Sequence, residues 1–436
     1  HRLDGRSVIY ACLMVVVVGA RLFRQSRWGR LSHAGREDEV AAAASGINVR
    51  VPWMVAFMTS VAIVAVGASL RVQVLGATSP IVFFFDFTLL TLAMLIVGRR
   101  NSVSGALVGV VVITAGTEFT RSLADSPPES LDWLLKPGLS DIFLGGAMLG
   151  FMLLRPHGLL RDRELDHWIA RRVLRRGVGP EPEVAPDPGR DAGPHDRLST
   201  TGVSVAFGGF QALSEVSVEV APDEVVGLIG PNGAGKTTLL NVITGVVPSD
   251  EGAYTLGDQD LTGRPSYRIG RAGLARTFQN LRLFADLSVR ENIEIAVLSA
   301  DHHRPGGVRV PVDELLAAGG LWAVQDRRAG ELDYGAQRRL ELARAAALAP
   351  SFLLLDEPTS GMSDTESAAM IDKVRALAAR VSAGVIVIDH DLHFITNLCD
   401  RIYVLDHGVV IAEGTPAEVQ ADPKVRAAYL GSAAPA

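Results

Sequence analysis

Long apolar runs recur through the N-terminal part of this chain, and they constrain its fold more than any other feature. One run covers residues 51–70 and another covers residues 81–98. A helix needs about 20 apolar residues to cross the hydrocarbon core of a bilayer. A removable signal peptide would stand once at the N-terminus rather than recur along the chain. This part of the chain is therefore predicted to form a bundle of transmembrane α-helices.

Three shorter apolar runs accompany these two, at residues 7–20, 102–116 and 139–154. Each is shorter than the ~17 residues that a spanning helix needs at least, so two interpretations stay open: a membrane span, or a buried or re-entrant helix. Together the runs predict about four to five spans between residues 1 and 160. Because the chain begins with His1 rather than Met, we expect the first run to be the end of a span that starts upstream.

Arginines follow several of the apolar runs and predict their orientation. They are frequent in residues 21–49, recur at residues 99–100, and are frequent again from Arg155 onward. Residues 117–138 instead carry more acidic than basic side chains. Because cytoplasmic loops carry the excess of Lys and Arg, the arginine-rich segments are predicted to be cytoplasmic and residues 117–138 to lie outside.

The composition excludes several classes of protein. Hydrophobic residues make up 48% of the 436 residues and charged residues 21%, which excludes a disordered chain. The net charge of −6 argues against a broad basic face, so no nucleic acid is expected as a partner. The two cysteines, Cys12 and Cys399, are too far apart in the sequence to form a disulfide framework.

Residues 161–198 differ from both of their neighbours. They are basic at first and then rich in proline and glycine, without apolar periodicity between residues 177 and 198. Such a stretch cannot bury enough apolar surface to offset the entropy of ordering it. We therefore predict a linker here, between a membrane domain at residues 1–160 and a second domain at residues 199–431, with a tail at residues 432–436.

In the second domain, short apolar runs alternate with helical patterns. The runs lie at residues 225–229, 352–355 and 385–388. Strands that are apolar throughout and alternate with helices indicate a parallel sheet covered on both faces, which is an α/β fold. Residues 402–405 and 409–412 flank a short Asp-His-Gly segment and are predicted to form a β-hairpin.

A glycine-rich motif, GPNGAGKTT at residues 230–238, lies between the first of these strands and a helical pattern. This is the strand–loop–helix context of a phosphate-binding P-loop. Its backbone N–H groups and the helix N-terminus attract phosphate oxygens. Lys236 is expected to reach the β- and γ-phosphates of ATP, and the Thr237 hydroxyl to hold Mg²⁺. The residues expected to bind the nucleotide here are Gly230, Asn232, Gly233, Gly235, Lys236, Thr237 and Thr238.

Polar residues near the ends of the other strands complete the predicted site. Asp356 ends a buried strand and is expected to bind Mg²⁺, while Glu357 is expected to polarise the attacking water. His390 follows the third strand at the edge where ligands of α/β sheets lie; it is expected to contact the γ-phosphate, with a structural histidine as the alternative. Gln279 offers an amide for the water or the metal.

The order of these motifs resembles an ATP-binding-cassette ATPase over residues 199–431. The motifs are the P-loop, Gln279, the segment LDYGAQ at residues 332–337, the Asp-Glu pair and His390. The resemblance implies an additional α-helical subdomain and a dimer in which the signature segment of one subunit covers the γ-phosphate bound by the other. It also implies that Phe207 stacks on adenine, for which core packing is the alternative.

The signature segment departs from the pattern of that family. Asp333 and Gly335 belong to the part that would face the nucleotide of the partner subunit. Asp333 stands where the family has serine, Tyr334 where it has the first glycine, and Ala336 where it has glutamine. A serine hydroxyl can donate to a phosphate oxygen, whereas a carboxylate repels it. The composite site is therefore predicted to be weakened unless Asp333 turns away.

Longer stretches narrow the resemblance to the high-affinity branched-chain amino-acid importers. Those that resemble the ATP-binding subunit are residues 227–245, 273–284, 334–345 and 424–431. Residues 26–49 resemble the cytoplasmic coupling loop of the permease, and residues 155–160 resemble its C-terminal end. The chain is thus similar to the C-terminal part of a permease followed by a whole ATPase.

This resemblance implies the cellular setting of the protein. It implies a multi-pass protein of the cytoplasmic membrane, with its ATPase domain inside, that imports branched-chain amino acids or related small amides. It also implies a second ATPase subunit, a second permease subunit and an extracytoplasmic substrate-binding protein as partners. Two other functions stay open: the ATPase of a different transport machine, such as a lipid or lipopolysaccharide extractor, and an ATP-binding subunit with a degenerate composite site.

The predicted coupling loop has a physical role in such a fusion. Residues 27–44 contain basic residues, then three acids, then an alanine-rich stretch. We expect this loop to dock as a helix in a groove of the ATPase, so that closure of the ATPase dimer moves the spans. The alternative is a solvated basic surface that faces anionic lipid.

Overall fold

The computed structural model describes residues 5–76, 85–98, 102–125, 197–303 and 310–430, together with the short stretches 145–146, 149–150, 153–154 and 181–182. The chain divides into two compact units, His1–Ser26 with Phe57–Gly179, and Arg27–Ala56 with Pro180–Ala436. Several sequence predictions lie largely or wholly outside the described residues: the apolar run at 139–154, the arginines at 99–100, the linker and the tail.

Apolar helices make up the described part of the first unit. They are α1 (Gly5–Gln25), the larger part of α4 (Arg50–Leu75), α5 (Phe85–Gly98) and α6 (Val103–Asp125). Among the residues that the structure describes, three stretches are long and apolar enough to cross a membrane: Ser7–Gln25, Arg50–Leu75 and Val103–Ser122; Phe87–Gly98, the described part of the run at residues 81–98, is a shorter apolar helix. The interpretation of residues 7–20 and 102–116 as too short is therefore wrong, because polar residues extend both helices beyond the apolar runs.

Helix α6 also corrects the predicted outer loop. It continues to Asp125, so the first part of residues 117–138 is helical rather than a loop. Arg121 donates to Glu118 at 3.2 Å, one turn earlier on the same helix, which is a spacing that favours helix formation.

Helices α5 and α6 pack together through small residues. A Cβ atom added at Gly98 would lie 2.1 Å from the Gly105 carbonyl oxygen, and one added at Gly109 would lie 1.9 Å from that of Met94. Ala93, Val97 and Ile113 are fully buried beside them. Glycine permits backbones in membrane bundles to approach this closely, so these glycines set the spacing of the two helices.

A six-stranded sheet forms the centre of the second unit. Its strands are β3 (Val225–Ile229), β6 (Leu274–Arg276), β7 (Phe352–Asp356), β8 (Gly384–Ile388), β9 (Arg401–Asp406) and β10 (Val409–Gly414), in the order β10-β9-β3-β8-β7-β6. All pairings are parallel except that of β9 with β10. The parallel sheet and the hairpin predicted from the sequence are both confirmed, and β3 has the predicted bounds.

A second, antiparallel sheet was not predicted from the sequence. It contains β1 (Leu198–Phe207), β2 (Phe210–Val220), β4 (Glu251–Leu256) and β5 (Gln259–Asp260), in the order β2-β1-β4-β5. Its strands have register shifts and one exposed face, so they lack the continuous apolar runs that mark the central strands.

Helices cover the central sheet. They are α7 (Lys236–Ile243), α8 (Ser266–Ala272), α9 (Val289–His303), α10 (Val312–Ala318), α11 (Tyr334–Ala346), α12 (Asp364–Val381), α13 (Leu392–Leu398), α14 (Pro416–Ala421) and α15 (Pro423–Leu430). Strand β7 shows how the two faces are used, because Leu353 and Leu355 enter one apolar core while Phe352 and Leu354 enter the other. Burial on both faces leaves the carboxyl ends of the strands as the edge available for chemistry.

Two further helices, α2 (Arg27–Glu37) and α3 (Glu39–Ala44), also belong to the second unit although they precede α4 in the chain. Asp38 begins α3, since its Oδ1 accepts a hydrogen bond from the Ala41 N–H at 2.8 Å. The second unit is therefore assembled from two separate stretches of the chain.

Candidate nucleotide site

The P-loop joins β3 to α7, and its glycines are required by its backbone. Gly233 and Gly235 have φ angles of 85° and 101°, a region that side chains rarely occupy. A Cβ at Gly230 would lie 2.0 Å from the Leu405 carbonyl oxygen, and one at Gly235 would lie 2.6 Å from that of Ala212. The loop is thus held tightly against β9 and β2 at the carboxyl end of the sheet.

Lys236 begins α7 and turns back over the loop. Its Nζ donates to the carbonyl oxygens of Gly230 and Pro231 at 2.7 and 2.9 Å. Burial lowers the pKa of Lys236, while the nearby carboxylates of Glu357 and Asp356 oppose this shift. The ammonium group is therefore held inside the predicted phosphate-binding loop, close to both acids.

Asp356 lies at the carboxyl end of β7 and is almost completely buried. Its Oδ2 accepts from Arg276 Nη2 at 2.8 Å, whereas its Oδ1 is buried and has no hydrogen-bond partner among the described residues. Burial raises the pKa of Asp356, and the Arg276 guanidinium opposes that shift. A buried carboxylate oxygen without a donor beside the P-loop fits a Mg²⁺ ligand, because this ion prefers oxygen donors.

Arg276, for which the sequence indicated no role, organises this end of the sheet. It ends β6 and is buried, and its Nη1 donates to Asn241 Oδ1 at 2.6 Å and to Thr244 Oγ1 at 3.0 Å. It thereby connects Asp356 to α7. The sequence shows only an arginine at the end of a short apolar segment. Its contact with Asp356 could not be predicted, because it depends on the pairing of β6 with β7.

Glu357 and Gln279 come together beside Asp356. Gln279 Nε2 donates to Glu357 Oε2 at 3.1 Å. Glu357 has a φ angle of 49°, and its N–H donates to the Ile388 carbonyl oxygen at 2.8 Å. Left-handed backbone at a non-glycine residue costs free energy and persists where surrounding contacts enforce it. The structure thus brings these two predicted residues into hydrogen-bond contact.

His390 follows β8 and has an exposed side chain, 70% accessible. Its Nδ1 lies 3.7 Å from Asp389 Oδ1. Asp389 itself is buried and accepts from the Thr359 hydroxyl at 2.6 Å. The structural alternative for His390, a satisfied core histidine, is therefore wrong, and the ring lies on the open edge of the sheet.

Phe207 ends β1 and is 50% exposed, so the interpretation of this side chain as core packing is wrong. Phe210, which begins β2, is 66% exposed and was not singled out from the sequence. Gly208 and Gly209 join the two strands with positive φ angles. Two exposed aromatic rings at one turn offer apolar faces of the kind that a nucleotide base stacks on.

The signature segment forms the start of α11. The Asp333 side chain caps this helix, because its Oδ1 accepts from the Ala336 N–H at 2.7 Å. The Tyr334 hydroxyl accepts from Arg338 Nη2 at 2.9 Å, and Gly335 is buried. One oxygen of Asp333 is therefore committed to its own helix, in the way that a serine at this position would cap it.

Helix α11 also holds the loop that carries Gln279. Arg338 donates to the Phe278 carbonyl oxygen at 2.6 Å and to that of Gln279. Glu341 is buried, pairs with Arg338 at 3.1 Å, and accepts from the Phe278 N–H at 3.2 Å. Burial raises the pKa of Glu341, and Arg344 and Arg338 oppose that shift. The sequence did not indicate these contacts, because they join residues far apart in the chain.

Helices α2 and α3 pack against the ATPase part of the same unit. The apolar contact is a cluster of buried residues: Leu31, Ala34, Ala41, Ala42, Ile47, Val49, Phe284 and Ile295. Arg282 donates to Asp38 Oδ2 at 2.9 Å, and Arg30 donates to Glu294 at 3.2 Å. The predicted docking of this segment is confirmed, and the alternative of a wholly solvated surface is wrong for these residues.

The docked segment and the Gln279 loop are therefore adjacent. Arg282 contacts Asp38 of the segment with its side chain and approaches Glu341 Oε1 with its backbone N–H at 3.5 Å. Glu341 in turn holds Phe278. A continuous set of polar contacts thus runs from α3 to the residue before Gln279.

The C-terminal helix α15 reaches the P-loop as well. The Tyr429 hydroxyl makes a hydrogen bond to the backbone of Gly230, and burial raises the pKa of Tyr429. This tyrosine was not predicted at the site, because its neighbours in the chain form no nucleotide-binding motif.

Comparisons with known proteins identify three segments by family profile. Residues 213–360 match "ABC transporter", residues 409–435 match "Branched-chain amino acid ATP-binding cassette transporter", and residues 3–152 match "Branched-chain amino acid transport system / permease component". The three matches cover both units of the chain.

Relatives of the ATPase part include two transport proteins of one kind. The high-affinity branched-chain amino acid transport ATP-binding protein LivG of Escherichia coli K12 is 38% identical over 250 residues, which are 54% of this chain and 98% of LivG. BraF of Pseudomonas aeruginosa, which has the same description, is 35% identical over 254 residues, 54% of this chain and 98% of BraF. The lipopolysaccharide export system ATP-binding protein LptB of Acidithiobacillus ferridurans is 39% identical over 219 residues, 50% of this chain and 90% of LptB.

Proposed function

The chain belongs to the ATP-binding-cassette family of branched-chain amino acid transport proteins, and from this premise we propose that it imports branched-chain amino acids or related small amides. The membership confirms the resemblance seen in the sequence, including the fusion of a permease part with an ATPase. The protein is accordingly an ATP-hydrolysing component of a membrane transporter. The substrate and the direction of transport are part of the proposal.

We assign the phosphates of ATP to the P-loop and the adenine to the exposed rings of Phe207 and Phe210. Thr237, Asp356 and Gln279 would hold Mg²⁺ through oxygen atoms, and the buried, unpartnered Oδ1 of Asp356 supports this assignment. When bound, the ion neutralises charge on the phosphate oxygens. Lys236 adds a positive charge at the β- and γ-phosphates.

Hydrolysis then requires a base for the attacking water. The Glu357 carboxylate accepts a proton from water as the water oxygen attacks the γ-phosphorus, and the bond to the β-phosphate oxygen breaks. The hydrogen bond from Gln279 holds the Glu357 carboxylate at this position. His390, exposed on the same edge of the sheet, would contact the γ-phosphate.

Members of this family work with partner permease and ATPase subunits. We infer that Asp333 and Gly335 of the signature segment face the nucleotide bound by the second ATPase subunit. An extracytoplasmic binding protein would deliver the substrate, because the ligand-capturing part of such importers is a separate protein.

The observation that carries the proposal is the docking of α2 and α3 on the ATPase of the same chain. These helices join α1 to α4, two helices that are long and apolar enough to cross a membrane. Movement of the ATPase on ATP binding and hydrolysis would therefore be transmitted to the spans. The docked loop and the ATPase must share one side of the membrane, and the arginines after α1 favour the cytoplasmic side.

Reconstitution with the partner subunits tests the proposal. We expect proteoliposomes that enclose ATP to take up labelled leucine, which would identify a branched-chain amino acid as the substrate; uptake of labelled urea instead would identify a small amide. The same vesicles made with Lys236→Ala should take up neither. Exclusion of both leucine and urea although ATP is hydrolysed would contradict the proposed substrate class.

The similarity to LptB favours one second candidate, an ATPase that drives lipid export. The permease match at residues 3–152 argues against it. Release of labelled lipopolysaccharide from the same vesicles, without leucine uptake, would establish that candidate instead.

A further inference from the structure

A cavity of about 200 Å³ lies within the second unit, where the loop after α3 meets the ATPase. Its wall includes Arg27, Trp28 and Asn48 on one side and Arg271 and Ser299 on the other. The remaining lining residues are Leu31, Gly46, Ile47, Val51 and Pro52. The wall thus carries two guanidinium groups and, among the described residues, no carboxylate.

The two arginines lack neutralising partners in the cavity wall. Arg27 Nε is buried and has no hydrogen-bond partner among the residues that the structure describes. Arg271 uses its Nε to donate to the Gly46 carbonyl oxygen at 2.8 Å. Burial lowers the pKa of Arg271; Tyr267 opposes this shift, and the positive charges of Arg27 and Arg268 add to it. Partly buried positive charges that repel one another form a site that favours an anion.

We propose that this cavity binds a phosphate group, clamped between the guanidiniums of Arg27 and Arg271. Guanidinium is well suited to phosphate, because its planar N–H groups match the spacing of two phosphate oxygens. Asn48 and Ser299 supply further donors. The cavity is large enough for a phosphate group, since its volume of about 200 Å³ is many times the roughly 10–15 Å³ that one water needs.

The position of the cavity favours the headgroup of an anionic phospholipid as the source of that phosphate. Val51 and Pro52 belong to the first turns of α4, a candidate membrane span. Trp28 lines the cavity, and Trp53, the residue after Pro52 on α4, is partly exposed. Tryptophan is enriched at the interface between the membrane and water. Inorganic phosphate has the same chemistry, so the experiment must distinguish the two sources.

The test measures the thermal unfolding temperature of the whole chain in detergent. It uses the Lys236→Ala background, so that the P-loop does not contribute to phosphate binding. Titration with phosphatidylglycerol should raise the unfolding temperature, whereas phosphatidylcholine should not. Arg27→Gln should weaken the phosphatidylglycerol effect about fivefold in apparent affinity, the usual contribution of one arginine near an anionic surface. Arg27→Lys should retain most of it.

Arg50→Gln is the matched control, because Arg50 is an exposed arginine beside the same loop that does not line the cavity. It should leave the phosphatidylglycerol effect unchanged. Asn48→Asp places a carboxylate in the cavity wall without changing the size of the side chain, so it should abolish the stabilisation by phosphatidylglycerol. This variant replaces Arg27→Gln in the test if Arg27→Gln does not fold.

Inorganic phosphate, titrated against chloride at equal ionic strength, separates the two sources. Stabilisation by phosphate alone that depends on Arg27 would establish the site with a soluble ligand. Stabilisation by phosphatidylglycerol alone would establish a lipid site. The proposal is overturned if neither anion stabilises the chain, or if Arg27→Gln and Arg50→Gln have equal effects.

Discussion

Glu357 occupies a left-handed backbone conformation between a buried strand end and Gln279. Such a conformation costs on the order of 1–3 kcal/mol. Because glutamine has the same size and branching, Glu357→Gln preserves this geometry and removes only the base. We expect ATP turnover to fall by about 10²- to 10⁴-fold while ATP is still bound, measured as phosphate release and as nucleotide retained on the purified transporter. Turnover at the original rate would exclude Glu357 as the base.

Asp333 can also be replaced without disturbing the local structure. Its side chain caps α11, and serine caps a helix about as well as aspartate, so Asp333→Ser should leave the helix intact. If the carboxylate repels the γ-phosphate of the partner subunit, ATP turnover of the assembled complex should rise. Asp333→Asn, another good cap without charge, should raise it too. No gain from either variant would show that the second Asp333 oxygen points away from the nucleotide.

Site residues that belong to a local sequence motif could be predicted from the sequence. Site residues whose role depends on contacts between distant parts of the chain could not. The P-loop glycines, Lys236 and the Asp-Glu pair follow from local order along the chain. Arg276 and Glu341 do not, because each contacts residues that only the folded sheet and helices bring near. Long-range polar contacts leave no periodic signal in a single sequence.

At the scale of elements, apolar continuity decided which predictions succeeded. Strands β3, β7 and β8 are almost completely buried, so their bounds could be predicted to within one residue, whereas β6 is equally buried but has only three residues and was not predicted. The antiparallel sheet has an exposed face and irregular register, and it was missed. Helices α1 and α6 are longer than the apolar runs that predicted them, because each continues through the polar residues that follow the run.

The contact of α3 with the Gln279 loop leads to a prediction about coupling. Asp38→Asn removes the charge that faces Arg282, yet asparagine keeps the cap on α3. We expect the loss of this partly exposed ion pair to cost about 0.5–1 kcal/mol. Uptake per ATP hydrolysed should fall, while ATP hydrolysis continues. The measurement is labelled substrate taken up against phosphate released in the same vesicles.

A double-mutant cycle with Arg282→Gln supplies the control for this pair. If Asp38 and Arg282 act through each other, the second substitution should add little to the first. Fully additive losses would show that the two residues affect coupling separately.

At the scale of the whole molecule, the second unit combines two stretches of chain that the membrane helices separate. Its ATPase is therefore attached to residues 27–56 in two ways, through the docking contacts and through the covalent chain. The covalent chain keeps the ATPase close to residues 27–56, which raises its effective concentration there. An interface of eight buried apolar side chains and two partly exposed ion pairs is then sufficient to keep the ATPase in place.

Cutting the covalent connection should expose the strength of docking alone. With a protease site inserted within residues 183–196, we expect the cleaved C-terminal fragment to co-elute with the N-terminal fragment at high protein concentration and to dissociate on dilution. Gel filtration of the cleaved protein at two concentrations measures this. Because Arg282→Glu places like charges opposite Asp38, its fragments should separate at the higher concentration as well. Fragments that never associate would mean that the covalent chain alone holds the ATPase, and fragments that never dissociate would mean that docking does so unaided.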